Sequence, residues 1–205
     1  KVPQPCSKNY AFGIPISVTP QDTFTVGDTI WWEMDIPNQL FDTTSGEYVD
    51  LTDFELFFWF GVGKLEHNGL IQSYVSSFDF VAEIGRVEPQ FGAIPAMHFL
   101  THSIQDKRFK IGCIPRQVGT YDAGISFPDL YLNGEGLRGD ELQVVDPNCK
   151  EFITRKSKIT INNKEINYHM MEGICRSDPD GNPLCYEPIS EAPMHNVYAF
   201  HVKEP

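Results

Sequence analysis

The chain has 205 residues, of which 41% are hydrophobic and 13% aromatic, and its formal net charge is −12. This length and aromatic content predict one large β domain, alone or with an appendage, and exclude a largely disordered chain. The acidic balance disfavours nucleic acid and anionic lipid surfaces as partners. The longest apolar run, residues 56–62, suits a buried strand and is too short to span a membrane.

The first predicted strand, residues 11–18, contains Pro15 and is therefore expected at a sheet edge. Residues 23–35 (TFTVGDTIWWEMD) predict a turn at Gly27-Asp28 followed by a long strand. Its period-2 alternation places an apolar set on one face, namely Ile30, Trp32, Met34 and Ile36. The opposite face carries a tryptophan between acids, namely Trp31, Glu33 and Asp35.

Residues 54–62 (FELFFWFGV) carry apolar side chains on both faces, with Trp59 opposite the main apolar set. This pattern is typical of a central strand covered on both sides, and the alternative is an exposed aromatic binding face. In RFKIGCI, residues 108–114, Cys113 shares the apolar face and is expected to be a small core residue.

Residues 115–127 (PRQVGTYDAGISF) enter a strand through Gly119-x-Tyr121. This entry resembles the start of strand F in immunoglobulin-like sandwiches, where a tyrosine hydroxyl bonds back to the preceding corner. With residues 26–35 as a strand-B-like segment, this predicts an all-β, immunoglobulin-like antiparallel sandwich over 11–148. Residues 149–205 are expected to form a C-terminal extension packed on it. That extension should contain a short helix at 163–172 capped near Asn162, a cysteine-flanked loop and a final strand at 196–203. A hairpin turning at Asn162-Asn163 is the alternative to the helix.

The five cysteines form no C-x-x-C pair. Cys175 and Cys185 flank a segment rich in turn formers, so a local disulfide is expected between them. Cys6 and Cys149 are a possible second pair. The prolines, turns and cysteines together favour an exported β domain, and five free thiols in a cytosolic protein are the alternative.

Several segments together resemble a class of exported or lipid-anchored cell-envelope proteins of Bacteroidetes-type bacteria. They are residues 19–51, the Gly119-x-Tyr121 entry, Cys149 and the closing YAFHV at 198–202. The resemblance implies an exported, β-rich envelope protein, located in the periplasm, on the outer surface or outside the cell. A lipid anchor would lie upstream. The resemblance supplies no catalytic motif that could be transferred to this chain.

No metal or cofactor site is predicted. His98 and His102 are spaced i, i+4, but the surrounding sequence predicts a strand. In a strand this spacing separates the two side chains by two pleats, which is too far for a compact metal site. The Met-His neighbours at 97–98, 169–171 and 194–195 could suit copper, but core methionines beside rim histidines are the favoured interpretation. Residues 178–182 (DPDGN) lack the spacing of a calcium loop and are interpreted as a turn.

Trp31 is the strongest binding candidate, because a ring flanked by Glu33 and Asp35 could stack on a sugar while the acids accept its hydroxyls. The competing interpretation is that the extension or a loop covers Trp31. The sequence therefore favours a non-catalytic exported envelope protein with a structural or interaction role. The alternatives are a carbohydrate-binding module that uses Trp31, Glu33, Asp35 and Trp59, or a hydrolase with an unrecognised carboxylate pair.

Overall fold

The protein is an all-β sandwich. The computed structural model describes residues 11–52, 57–66, 74–89, 97–101, 107–126, 131–132, 135–136, 141–145, 152–156, 158–164, 166–177, 183–185 and 196–205. The strands, in chain order, are β1 (Gly13–Val18), β2 (Thr23–Thr25), β3 (Ile30–Asp35), β4 (Gln39–Asp42), β5 (Glu47–Asp50), β6 (Phe57–Lys64), β7 (Phe78–Ile84), β8 (Arg86–Pro89), β9 (Met97–Thr101), β10 (Arg108–Pro115), β11 (Gly119–Ser126), β12 (Tyr131–Leu132), β13 (Glu135–Gly136), β14 (Glu141–Val145), β15 (Phe152–Lys156), β16 (Lys158–Ile161), β17 (Cys175–Ser177), β18 (Pro183–Cys185) and β19 (Val197–Lys203). Short 3₁₀ turns occupy Val75–Ser77, Asn162–Lys164 and Tyr168–Met170. None of the helical segments in these ranges is long and apolar enough to cross a membrane.

Two larger sheets form the sandwich. Sheet I has the order β16-β1-β3-β10-β7, and sheet II has the order β2-β19-β11-β6-β9-β8. The central strands match the A-B-E-D and G-F-C arrangement of immunoglobulin-like domains, with β1, β3, β10 and β7 in one sheet and β19, β11 and β6 in the other. The predicted fold class is thus confirmed.

Aromatic side chains fill the space between the two sheets. Trp32 on β3 meets Phe60 on β6 edge to face, with 5.0 Å between ring centroids, and Tyr198 on β19 at 6.4 Å. Phe58 and Phe109 join the sheets in the same way at 5.8 Å. The predicted core face of β3 and its continuation is buried at every position: Ile30, Trp32, Met34 and Ile36. Such edge-to-face contacts add to the stabilisation that burial of the rings provides.

Pro15 does not place β1 at an edge, which corrects the sequence-based expectation. β1 lies between β16 and β3 in sheet I. Within β1, Ser17 and Val18 are the residues that pair with β3, and the segment around Pro15 pairs instead with β16 in parallel. The strand therefore changes partner along its length, and Pro15 lies outside the part that pairs with β3.

The C-terminal segment contributes strands to both sheets. β16 adds to sheet I beside β1, and β19 lies between β2 and β11 in sheet II. The helix predicted over 163–172 is wrong for the described residues there, which form two 3₁₀ turns.

Asparagine geometry explains this difference. Asn163 and Asn167 have positive φ values of 53° and 54°, which interrupt a right-handed helix. The side chain of Asn162 bonds both the N–H and the carbonyl of Val18, at 2.8 and 3.1 Å, instead of capping a helix. The alternative hairpin at Asn162-Asn163 is also not formed, since β16 pairs in parallel with β1.

Tyr121 closes the corner before β11. Its hydroxyl donates to the carbonyls of Gln117 and Val118, at 3.2 and 3.3 Å. Burial raises the pKa of this hydroxyl, so it stays protonated and able to donate. This is the bond that the Gly119-x-Tyr121 entry predicts.

We expect Tyr121→Phe to lower the free energy of unfolding by about 1 kcal/mol, because the carbonyls of Gln117 and Val118 lose this donor. Urea unfolding measures the change. Tyr48→Phe removes an exposed hydroxyl and serves as the control, with no change expected. Equal stability of Tyr121→Phe and wild type would show that the corner does not depend on this hydroxyl.

Candidate functional site

Trp31 lies on the outer face of sheet I and is half-buried. Its cross-strand partner is Gly112 on β10. A Cβ atom at Gly112 would lie 3.1 Å from Cζ3 of Trp31, 2.8 Å from Cγ1 of Val81 and 2.6 Å from Cγ2 of Thr29. The indole thus covers the glycine backbone between strands, and neighbouring strands account for its burial.

Charged side chains surround Trp31 in ion pairs. The Lys110 ammonium lies over the indole, 4.7 Å from the ring centroid, and contacts Glu83 at 2.7 Å and Glu33 at 3.8 Å. The hydrogen bond to Glu83 raises the pKa of Lys110, and so does the charge of Glu33. Asp35 pairs with Arg108 at 3.2 Å. The two acids proposed to receive sugar hydroxyls are therefore already engaged by bases on β10.

Trp59 is not part of the same site. Phe58 and Phe60 on β6 are buried between the sheets, so Trp59 points to the opposite side of that strand, the outer face of sheet II. Trp31 points outward from sheet I. The structure brings Trp31, Glu33 and Asp35 together on one strand face, and it places Trp59 across the full thickness of the sandwich.

Two cysteine predictions are confirmed. Cys175 and Cys185 form a disulfide that joins β17 to β18. Cys113 is a free, buried thiol, and its burial raises its pKa well above the ordinary value. Such a thiol is a core side chain with little reactivity. The possible pair of Cys6 and Cys149 lies outside the described residues.

Metal-binding candidates are absent within the described ranges, where no group of three or more His, Cys, Asp or Glu side chains could hold an ion. The His98 side chain, His102, the Met194-His195 pair and the loop at 178–182 lie outside the described part. His169 and His201 are exposed, and His201 contacts the Thr120 hydroxyl at 3.1 Å.

An aromatic pair that the sequence interpretation missed lies on the β4–β5 hairpin. Phe41 and Tyr48 face each other across the two strands, with 5.5 Å between ring centroids, and are 47% and 71% exposed. Gln39 and Asp50 form the next pair on the same side. We call these four residues the hairpin face. The hairpin face could have been predicted from the alternation of side chains in the segments before and after the DTTSG turn, which places Leu40 and Val49 on the opposite side.

The hairpin is held firmly at its turn by Asp42. This buried carboxylate accepts the backbone N–H groups of Ala11, Thr44 and Ser45 at 2.7, 3.1 and 3.0 Å. Burial by itself would raise its pKa, but the hydrogen bonds from Ser45, Ala11 and Thr44 outweigh burial and lower the pKa to about 2. The ionised group thus ties the turn to the segment that enters β1.

The opposite end of the hairpin is held by Lys107 and by apolar contacts. Lys107 is fully buried and donates to the Thr52 carbonyl at 3.2 Å. Leu40 and Leu51 lie in the core, while Val49 packs against it. Because both ends of the hairpin are held by contacts with the sandwich, the rings of the hairpin face are exposed to solvent in a fixed orientation.

We expect Gly112→Ala to destabilise the protein by about 1–3 kcal/mol, because the new Cβ displaces Trp31 and its neighbours. Urea unfolding gives the change, and acrylamide quenching should show a more accessible tryptophan. Gly13→Ala, also in sheet I, is the control, because its Cβ would meet nothing within 4 Å. If both variants behave alike, the close packing of Trp31 on Gly112 is refuted.

We expect Asp42→Asn to cost about 1 kcal/mol at neutral pH, as for other side-chain caps. Because the folded pKa of about 2 lies below the ordinary aspartate pKa of 3.8, the carboxylate contributes its full stabilisation at any pH above 3.8. Wild type loses this stabilisation as the pH falls through the folded pKa, so the two proteins should converge. Stability measured against pH tests this, with Glu47→Gln as the control for net charge. If the difference in unfolding free energy between wild type and Asp42→Asn does not narrow in acid, the ionised Asp42 carboxylate does not have this stabilising role.

Comparisons with known proteins assign no family to the chain. No family model matches it, and no curated protein matches it. Among solved structures, the human F-spondin reeler domain (fragment 1) aligns with 90% of this chain and 96% of its own chain, at 9% sequence identity and a TM-score of 0.36.

Proposed function

We propose that this chain is a non-catalytic, exported envelope protein that acts by binding, with the hairpin face as its contact surface. The observation that carries the proposal is the exposure of Phe41 and Tyr48 on a firmly anchored hairpin. Tyrosine and phenylalanine are enriched at interfaces, since a rigid ring offers a large contact area at little entropic cost.

The outer face of sheet I is less suited to this task. Its tryptophan covers Gly112, and its acids pair with Lys110 and Arg108. A ligand there would have to displace these contacts before it gained its own. The hairpin rings contact each other edge to face and keep much of their surface exposed to solvent.

Export is supported by the Cys175–Cys185 disulfide. Disulfides persist in oxidising compartments and are rare in the cytosol. The resemblance to exported envelope proteins is in keeping with this chemistry.

A carbohydrate-binding role is the second candidate, and it would now use the hairpin face. The observation in its favour is that Gln39 and Asp50 place an amide and a carboxylate beside the two rings. These groups can bond sugar hydroxyls while a ring stacks on the sugar.

The proposal can be tested by measuring binding to a panel of neutral glycans and of basic, acidic and neutral peptides. We expect wild type to bind at least one class, and the double variant Phe41→Thr/Tyr48→Thr to bind it roughly tenfold more weakly or worse. Threonine keeps the strand propensity of both positions. Val81→Thr, which alters an apolar side chain of similar exposure on sheet I, is the control.

Thermal unfolding of each variant verifies that its fold is intact. If wild type binds no class in the panel, or if the double variant binds as well as wild type, the hairpin face is not the contact surface.

A further inference from the structure

The hairpin combines two exposed aromatic rings, Phe41 and Tyr48, with an excess of acidic residues. Residues 37–52 contain Asp42, Glu47 and Asp50, and they contain no Lys or Arg. Lys107 approaches this segment from the interior, where its ammonium is fully buried against the Thr52 carbonyl. Its charge acts on Asp50 and lowers the pKa of that carboxyl, and three acids against this one base leave the hairpin with a net negative charge.

Asp50 supplies the negative charge on the hairpin face itself. Its Oδ1 accepts from the N–H and the hydroxyl of Thr52, at 2.9 and 2.6 Å. These bonds and the Lys107 charge lower the pKa of Asp50, so it is ionised at neutral pH. Asp50 is exposed and follows Tyr48 by two residues, on the same side of β5.

The outer face of sheet I provides the contrast. There, Glu83 and Asp35 are matched by Lys110 and Arg108, and the ammonium of Lys110 already occupies the position over the Trp31 ring. That face combines an aromatic ring, a cation and carboxylates within one chain. The hairpin face has the ring and the carboxylate, and its own strands supply no cation.

We infer that the hairpin face binds a partner segment that carries Lys or Arg side chains, which stack on Phe41 and Tyr48 and pair with Asp50. The inference rests on the proposed function and names the chemistry of its partner. An ammonium or guanidinium over an aromatic ring is attracted by the ring's negative face, and a guanidinium also stacks flat on it. The net charge of −12 would steer a basic segment toward the protein.

Charge is the reason for preferring a basic segment to a neutral sugar. A neutral sugar could stack on the rings and donate its hydroxyls to the ionised Asp50, but it carries no charge and would gain nothing from the net negative charge of the surroundings. A cationic side chain uses all of these features at once. An acidic segment would be repelled by them.

The test uses a short Gly/Ser peptide that contains several arginines, with matched acidic and neutral peptides and a neutral glycan as further probes. We expect wild type to bind the arginine peptide, with an affinity that falls as salt is added. Phe41→Thr/Tyr48→Thr should weaken binding about tenfold through lost cation–π contacts. Asp50→Asn, whose amide oxygen can still accept from Thr52, should weaken binding and flatten its salt dependence. Val81→Thr should bind as wild type does.

The other outcomes each overturn the inference in a recognisable way. If wild type binds the glycan and not the arginine peptide, and the double variant loses that binding, the partner chemistry is wrong while the contact surface stands. If the double variant binds the arginine peptide as tightly as wild type, the attraction is nonspecific and the rings take no part. If no probe binds, the inference and the proposed function fail together.

Discussion

The packing of Trp32 between the two sheets determines which side chains the protein can offer to its surroundings. Its indole meets Phe60 and Tyr198 from the opposite sheet, which sets the register of β3. Because side chains alternate along a strand, a core position for Trp32 requires an outward position for Trp31. A slip of one residue would bury Trp31, Glu33 and Asp35, and two unpaired carboxylates in the core would be far more costly than any gain from the second indole.

The outward position of Trp31 then determines the rest of the outer face of sheet I. An indole of this size needs space on the neighbouring strand, and Gly112 provides it on β10. Lys110 places its ammonium over the ring and contacts Glu33 and Glu83. The face therefore satisfies its own charges and covers its own aromatic ring. Exposed ring surface occurs instead on a hairpin whose two strands pair with each other and not with either large sheet.

Features set by local alternation could be predicted from the sequence. The core face of β3, the burial of Cys113, the bond made by Tyr121 and the Cys175–Cys185 disulfide all depend on residues close in sequence. The features that could not be predicted depend on distant partners. Asn162 bonds Val18, 144 positions away, and this tertiary contact replaces the helix cap that its local context suggests.

The same distinction applies to the candidate site. The acids at Glu33 and Asp35 were recognised on the correct face, but their partners on β10 lie more than 70 positions away in the sequence and are revealed only by the strand register. Trp31 and Trp59 were both recognised as candidate binding residues. Period-2 alternation shows on which face of its own strand each ring lies, but it does not show that the two strands belong to different sheets whose outer faces point in opposite directions. The hairpin face could have been predicted, because Phe41 and Tyr48 lie in short segments on either side of a recognisable turn and pair across it.

The anchoring of the hairpin gives a physical reason to connect it with function. An isolated two-stranded hairpin is only marginally stable in water. Here Asp42 fastens the turn to Ala11, and Leu40 and Leu51 enter the core of the sandwich. The stability of the whole domain therefore supports the orientation of two exposed rings, so a partner need not supply the free energy to order them. Rings mounted in this way lose little conformational entropy on binding, which is the condition under which a small aromatic surface can contribute useful affinity.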